Sequence, residues 1–288
     1  MIYQSPQDWL DAPQKRVLLF GMSGLGKTYL SNMLRDTGEW YHYSIDYRIG
    51  TRYMDEYIDD NLKKQAMQVP FLRELLMTDS IFIGSNITFD NLAPLPTYLG
   101  KPRNSAKGGV PIAEYQRRQA QHERAEISAL LDTQHFVDRA QRIYDYPNFV
   151  CDTGGSICEV VDPNDPNDPV LKALSEQVLM VWIEGSDADT DALIARFDKA
   201  PKPMCYQPAF LAQTWRAYLD MTGEAEDKVD PDAFIRWAYA QAMSHRTPRY
   251  AAMAKNWGIT VKADAFASVT TAAEFNQCVA DGLAQIGA

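Results

Sequence analysis

Residues Gly21 to Thr28 read GMSGLGKT and fill every fixed position of the pattern G-x-x-x-x-G-K-[ST]. The apolar run Arg16 to Phe20 precedes them and predicts a buried strand, whereas Tyr29 to Leu34 continues with apolar residues at helical spacing. A glycine-rich turn between strand and helix directs backbone N–H groups into one cavity, to which the helix N-terminus adds its positive end. The stretch therefore predicts a loop that binds nucleotide phosphates, and the alternative is a chance glycine-rich turn.

Two side chains of this loop have an expected role in nucleotide binding. Lys27 is expected to reach the β- and γ-phosphates, and the Thr28 hydroxyl to ligate Mg²⁺. ATP and Mg²⁺ are the expected cofactors. The predicted nucleotide-binding residues are Gly21, Ser23, Gly24, Leu25, Gly26, Lys27, Thr28 and Tyr29.

The overall composition excludes several classes of partner. The 288 residues carry a formal charge of −10, which argues against a nucleic acid or an anionic membrane as the main partner. No apolar run reaches the roughly 18 residues of a membrane span, and no signal peptide is recognisable, so a cytoplasmic protein is expected. The four cysteines form no C-x-x-C pair and the four histidines are scattered, so reduced thiols are expected rather than a structural zinc site.

Two further predicted strands end in an acid. The run Trp40 to Ile45 ends in Asp46, which could meet a substrate hydroxyl or a Mg²⁺-bound water, or cap the following helix. The run Asn148 to Cys151 leads into Asp152, the place of a Mg²⁺-organising acid. The following Gly154-Gly155 lets a substrate approach the backbone and offers N–H donors, or forms an ordinary turn.

The region between these two strands is too long for a simple crossover. Within a single domain of residues 1–288, residues 47–147 are therefore predicted to be an inserted, mostly helical cap that forms the acceptor-substrate pocket. Its long helix, predicted over Ile112 to Leu131, carries arginines that could hold an anionic substrate or form a solvated helix face. These arginines are Arg117, Arg118 and Arg124.

The remainder of the chain completes the alternating pattern. Strands are predicted over Gln177 to Ile183 and Gly258 to Lys262, and a helix over Pro231 to Met243. Residues 199–210 form a basic, proline-rich loop that includes Lys202. A mobile loop with lysines suits a lid over the phosphates.

The order of these motifs resembles the shikimate kinase and gluconate kinase branch of the P-loop kinases. The matching pieces after the phosphate loop are Asp46, Thr153-Gly154-Gly155-Ser156 for the family's T-G-G-G, a helix ending in Arg196, Lys202-Pro203-Met204 for its R-P-L, and Arg246-Thr247-Pro248-Arg249-Tyr250 for its R-x-P-x-Y. The resemblance implies an α/β fold of three αβα layers, with a parallel five-stranded sheet in the order 2-3-1-4-5. It also implies transfer of the ATP γ-phosphoryl to an alcohol.

The resemblance further implies roles for single residues. Asp46 would contact the acceptor hydroxyl as a candidate base, and Gly154-Gly155 would line the acceptor site. Arg196 would stack on adenine, Lys202 would be the lid cation, and Arg246 would grip an acidic group of the acceptor.

The sequence also departs from the family pattern. The family's D-x-D reads Ser44-Ile45-Asp46 here, so the first acid is missing and Asp152 is its candidate replacement. Lys202 replaces the lid arginine and lacks the planar bidentate fork. The family's substrate-binding helix arginine could correspond to Arg117, Arg118 or Arg124, of which Arg118 is the predicted substrate-binding residue.

Three hypotheses follow from these patterns. The first is a kinase that phosphorylates a hydroxyl of a small, acidic molecule. The second is an ATPase or nucleotide-dependent switch that acts with a protein partner bound by the cap. The third, a nucleotide-binding protein without turnover, is disfavoured because Lys27, Thr28, Asp46 and Asp152 are all present.

Overall fold

The computed structural model describes residues 1–286 and contains one five-stranded, wholly parallel sheet. Its strands are β1 (Arg16–Phe20), β2 (Trp40–Ser44), β3 (Asn148–Asp152), β4 (Leu179–Glu184) and β5 (Gly258–Lys262). They lie in the order β2-β3-β1-β4-β5. The predicted sheet order is confirmed, and with helices on both sides of the sheet the architecture is the αβα fold of P-loop NTPases.

The helices account for most of the remaining chain. In chain order they are α1 (Pro6–Leu10), α2 (Lys27–Asp36), α3 (Ile45–Arg48), α4 (Asp55–Ala66), α5 (Pro70–Met77), α6 (Pro94–Leu99), α7 (Ile112–Leu131), α8 (Thr133–Tyr144), α9 (Pro169–Ser175), α10 (Asp187–Lys199), α11 (Pro208–Thr222), α12 (Pro231–Trp257), α13 (Ala263–Ala267) and α14 (Ala272–Ala284). A π-helical turn covers Ile49–Tyr53. None of the helices within residues 1–286 is both long and apolar enough to cross a membrane.

The chain divides into two compact units. The sheet unit comprises Met1–Ile45, Ile127–Ala200 and the residues from Ala238 onward. The helical unit comprises Asp46–Glu126 and Pro201–Trp237. The predicted cap of residues 47–147 overlaps the helical unit as far as Glu126; its boundaries and its role stay predictions.

Alternating side chains along the strands build the core of the sheet unit, because successive residues of a strand point to opposite faces. On one face, Val17 and Leu19 of β1 belong to a buried cluster with Leu30 and Leu34 of α2. The central strand β1 has neighbours on both sides, with Leu19 opposite Asp152 of β3 and Val181 of β4. The residues that follow β1 therefore emerge beside the carboxyl end of β3, where ligands bind in open parallel sheets.

One predicted helix boundary is wrong. The helix expected to end at Met243 continues as α12 to Trp257 and contains Pro248. A proline inside a helix removes one hydrogen bond and normally ends or kinks the helix. Here Tyr250 and Met253 beyond the proline are completely buried, and their burial offsets that cost.

Candidate nucleotide site

The phosphate loop lies between β1 and α2, as the sequence predicts. Gly24 and Gly26 have φ angles of +93° and +89°, a region that side-chain-bearing residues rarely adopt. A Cβ atom on Gly24 would also collide with the guanidinium of Arg196 from α10. The glycines therefore serve both the curvature of the loop and the close approach of a cation to it.

Lys27 is held inside this loop. Its ammonium group donates hydrogen bonds to the carbonyl oxygens of Gly21 and Met22, both at 2.8 Å, and the residue is only 6% exposed. The positive charge is thus fixed at the concave side of the loop, beside the N-terminal end of α2. The arrangement can receive the oxygens of a polyphosphate.

A buried hydrogen-bond network connects the loop to the end of β3. The Thr28 hydroxyl donates to Oδ2 of Asp152 at 3.0 Å, and His42 Nε2 lies 3.1 Å from Oδ1 of the same carboxylate. The parallel register places Ser44 of β2 directly opposite Asp152. The structure therefore brings together the two predicted magnesium ligands, Thr28 and Asp152.

The same network determines the protonation of Asp152. Burial alone raises the pKa of this carboxyl, but hydrogen bonds from His42, Thr28 and Ser44 and the charge of His42 more than reverse the effect. The pKa of Asp152 consequently lies below its ordinary value. The group is ionised at neutral pH and presents carboxylate oxygens, which are the donors that Mg²⁺ prefers.

This lowered pKa gives a pH dependence of stability. Stability contributed by the Asp152 carboxylate is fully present above its unfolded pKa near 3.8 and is lost as the pH falls through the lower folded pKa. The free energy of unfolding of the wild type should therefore exceed that of Asp152→Asn at pH 6. The difference should shrink below about pH 4, as measured by urea unfolding without Mg²⁺. Asp36→Asn, at an exposed carboxylate, is the control, and a difference that does not shrink in acid contradicts the assignment.

The backbone after Asp152 lies against the phosphate loop. Thr153 is tied to β1 because its N–H and its hydroxyl both donate to the Leu19 carbonyl, at 3.2 Å and 3.1 Å. A Cβ atom on Gly155 would lie 2.6 Å from Oγ of Ser23. Tyr250 of α12 donates from its hydroxyl to the Gly155 carbonyl at 2.5 Å. The predicted glycine pair is therefore next to the loop, and Gly155 has a structural reason to lack a side chain.

Two predicted nucleotide-binding side chains are exposed at the edge of this region. Arg196 is exposed on α10, and within residues 1–286 its guanidinium makes no hydrogen bond or ion pair. Tyr29 is 57% exposed and lines a groove of about 570 Å³ with Thr270 and Thr271 at the start of α14. Both side chains are available to a ligand, and their roles stay predictions.

Arg246, by contrast, is 1% exposed and already has a carboxylate partner. Its Nε donates to Oε1 of Glu159 at 2.7 Å. Oε2 of Glu159 lies 3.4 Å from Nε2 of His245. The predicted grip of Arg246 on an acidic acceptor stays a prediction, and the contact that the structure contains is this buried ion pair.

The remaining predicted residues belong to the helical unit. Asp46 is the second residue of α3, and Lys202 is exposed in the segment between α10 and α11. Arg118 of α7 is 9% exposed and donates to Glu114 Oε1 at 2.7 Å, to Asn61 Oδ1 at 3.1 Å and to the Tyr98 carbonyl. Its contacts stabilise the helical unit itself, and its substrate role stays a prediction.

Sequence reasoning missed two residues of this region. His42 holds the Asp152 carboxylate from the adjacent strand, and its signal in the sequence is a polar side chain two residues before Ser44 in a buried strand. Glu159 interrupts the otherwise apolar run from Ile157 to Val161. A buried carboxylate requires a partner. A glutamate in an apolar run could therefore have indicated that a buried cation, here Arg246, pairs with it.

No family model and no curated protein matches this sequence. Among solved structures the chain is similar to a shikimate kinase from Bacteroides thetaiotaomicron, at 15% sequence identity. The alignment covers 92% of this chain and 94% of that chain, with a TM-score of 0.36. A similarity at this level carries no functional argument.

Proposed function

We propose that this protein is a kinase that transfers the γ-phosphoryl group of ATP·Mg²⁺ to a hydroxyl of a small, acidic molecule. The observation that carries the proposal is the 3.0 Å hydrogen bond between Thr28 and the ionised Asp152, at the mouth of a complete phosphate loop. The two side chains that it joins supply oxygen ligands for Mg²⁺ beside the expected position of the nucleotide phosphates.

The residues fit a magnesium nucleotide in chemistry as well as in position. Thr28 and Asp152 would hold the ion, which supplies charge neutralisation on the phosphate oxygens. Lys27 and the loop N–H groups bind and orient the phosphates, and the fixed Lys27 charge stabilises the charge that develops during transfer. Positioning and electrostatics of this kind are sufficient, because phosphoryl transfer needs little covalent help.

An alcohol acceptor is supported by the ordered sequence motifs and by the backbone beyond Asp152. Gly154-Gly155 follows Asp152, and Gly155 lies against Ser23 of the loop, so the backbone that would line the acceptor site is held beside the place for the phosphates. Asp46 as candidate base and Lys202 as lid cation complete the proposal.

Thermal unfolding with a non-hydrolysable ATP analogue and Mg²⁺ tests the proposal directly. A panel of hydroxy acids, sugars and nucleosides is screened, because a ligand that binds the folded state adds stability. The acceptor should raise the Tm in the presence of the analogue and should stimulate ADP formation from ATP. ADP formation that none of these compounds stimulates contradicts the acceptor hypothesis and favours nucleotide hydrolysis.

Arg196→Ala should weaken nucleotide binding with little effect on folding. A guanidinium stacked on adenine is worth about 1–2 kcal/mol when partly desolvated, so the Kd for ATP should rise about tenfold. Isothermal titration measures this change, with Arg35→Ala as the control because the ion pair of Arg35 with Asp36 lies at the surface. An unchanged Kd would remove Arg196 from the nucleotide site.

A further inference from the structure

A second cluster of polar side chains, all of types that can ligate a metal ion, lies wholly within the helical unit. His122, Glu126 and Cys205 are all buried, and their potential ligand atoms lie within 4.8 Å of one another. This cluster was not anticipated from the sequence, where the scattered cysteines and histidines argued against zinc. His122 and Glu126 come from one helix, whereas Cys205 lies far along the chain.

The local structure explains why these three side chains meet. Tyr115, Gln119, His122 and Glu126 recur at spacings of three and four residues along α7, so they share one face of the helix. Gln119 fixes the segment that carries Cys205. Its Nε2 donates to the Met204 carbonyl and its Oε1 accepts from the Tyr206 N–H, each at 2.9 Å.

One ring nitrogen of the histidine in this cluster has no hydrogen-bond partner within residues 1–286. His122 is 5% exposed, and no partner for its Nδ1 is found in the described part of the chain. The nearest carboxylate oxygen, from Glu126, is 3.6 Å away. A buried polar atom in this condition calls for an explanation such as a bound ion.

We propose that His122, Glu126 and Cys205 bind a zinc ion. Imidazole nitrogen, carboxylate oxygen and cysteine sulfur are the three ligand types that zinc takes in proteins. A tetrahedral zinc site places its ligand atoms about 3.3–3.8 Å apart, so closure requires movements of about 1 Å. A thiolate and a carboxylate together balance the charge of Zn²⁺, and the sulfur ligand selects against Mg²⁺ and Ca²⁺.

The surroundings of the three ligands indicate what could occupy the fourth coordination position of the zinc ion and how zinc would stabilise the chain. The Tyr115 hydroxyl is completely buried and has no hydrogen-bond partner within residues 1–286, so it is available to a zinc-bound water. Zinc would join the segment around Cys205 to α7, adding to the two hydrogen bonds of Gln119. Zinc in this position would therefore stabilise the residues that directly follow Lys202.

Metal analysis of the full chain tests the proposal. Zinc-loaded protein dialysed against buffer with millimolar Mg²⁺ should retain about one zinc per chain, because the cysteine ligand selects zinc over magnesium. Zinc should raise the Tm of the wild type, because it binds the folded state. Cys205→Ser and His122→Gln should each lose most of the zinc and of the Tm increase. Cys278→Ser, which changes a cysteine of the sheet unit, should retain both.

Cobalt substitution keeps the test decisive if a ligand variant does not fold. Co²⁺ bound to a thiolate in the wild-type chain should give a sulfur-to-metal charge-transfer band and the intense visible bands of tetrahedral coordination. Gln119→Ala, which lacks the anchor of the segment but keeps all three ligands, should keep the spectrum with weaker binding. Zinc retention below about a tenth of an equivalent per wild-type chain, or a cobalt spectrum without the sulfur band, would overturn the assignment.

Discussion

Replacing Lys27 with alanine should lower the rate of ATP turnover by at least about 10²–10³-fold, the usual loss when one preorganised donor to a transition-state charge is removed. The ammonium group is buried and fixed by two loop carbonyls at 2.8 Å. Removing it takes away the positive charge and leaves the loop without that internal tie. ADP formation under saturating ATP measures the effect.

Two controls separate this loss from misfolding. Lys262→Ala removes an exposed lysine of the same unit, whose ion pair with Glu184 is at the surface, and should keep nearly full activity. Circular dichroism should show that the Lys27→Ala chain retains its fold. A folded Lys27→Ala protein with near-normal turnover would refute the proposed role of the phosphate loop.

Arg246→Met should destabilise the protein by about 3–5 kcal/mol, because it leaves the Glu159 carboxylate buried without its closest cation. The Glu159 side chain is completely buried, and Arg246 is 1% exposed. The double variant Arg246→Met/Glu159→Leu removes both charges and should recover a large part of the loss. Urea unfolding of the two single variants and the double variant measures the coupling.

This experiment also distinguishes the buried ion pair from the predicted acceptor role. Arg35→Met, at an exposed ion pair, should cost less than about 1 kcal/mol. If Arg246→Met is as stable as the wild type but raises the KM for the acceptor, the acceptor role is supported and the structural role is refuted. A loss of stability with an unchanged acceptor KM gives the opposite conclusion.

Local patterns in the sequence were sufficient for the sheet and the phosphate loop. The apolar run Arg16 to Phe20 coincides with β1, and Ile112–Leu131 is the predicted long helix. The glycine pattern and the acid after the third strand located Thr28 and Asp152. These features depend on residues that are close in the sequence, through the periodicity of side chains and the backbone conformation that a turn requires.

The partners of these residues could not be predicted, because they depend on pairings between distant segments. The contact of His42 with Asp152 requires the register between β2 and β3, and the sequence of either strand alone does not reveal that register. The pairing of Glu159 with Arg246 likewise requires a helix that continues past the predicted end at Met243. The approach of Cys205 to His122 depends on the side chain of Gln119, which donates to the Met204 carbonyl and accepts from the Tyr206 N–H.

The hydrogen bond from Tyr250 to the Gly155 carbonyl has a consequence for synthesis of the chain on the ribosome. Gly155 lies against Ser23, so Tyr250, which follows Gly155 by 95 residues in the chain, helps to fix the backbone beside the phosphate loop. A nascent chain that has not yet reached Tyr250 contains the whole GMSGLGKT sequence but lacks this donor. Nucleotide binding should therefore mature only after α12 has been synthesised, and shortened expression fragments that stop before α12 should bind ATP poorly.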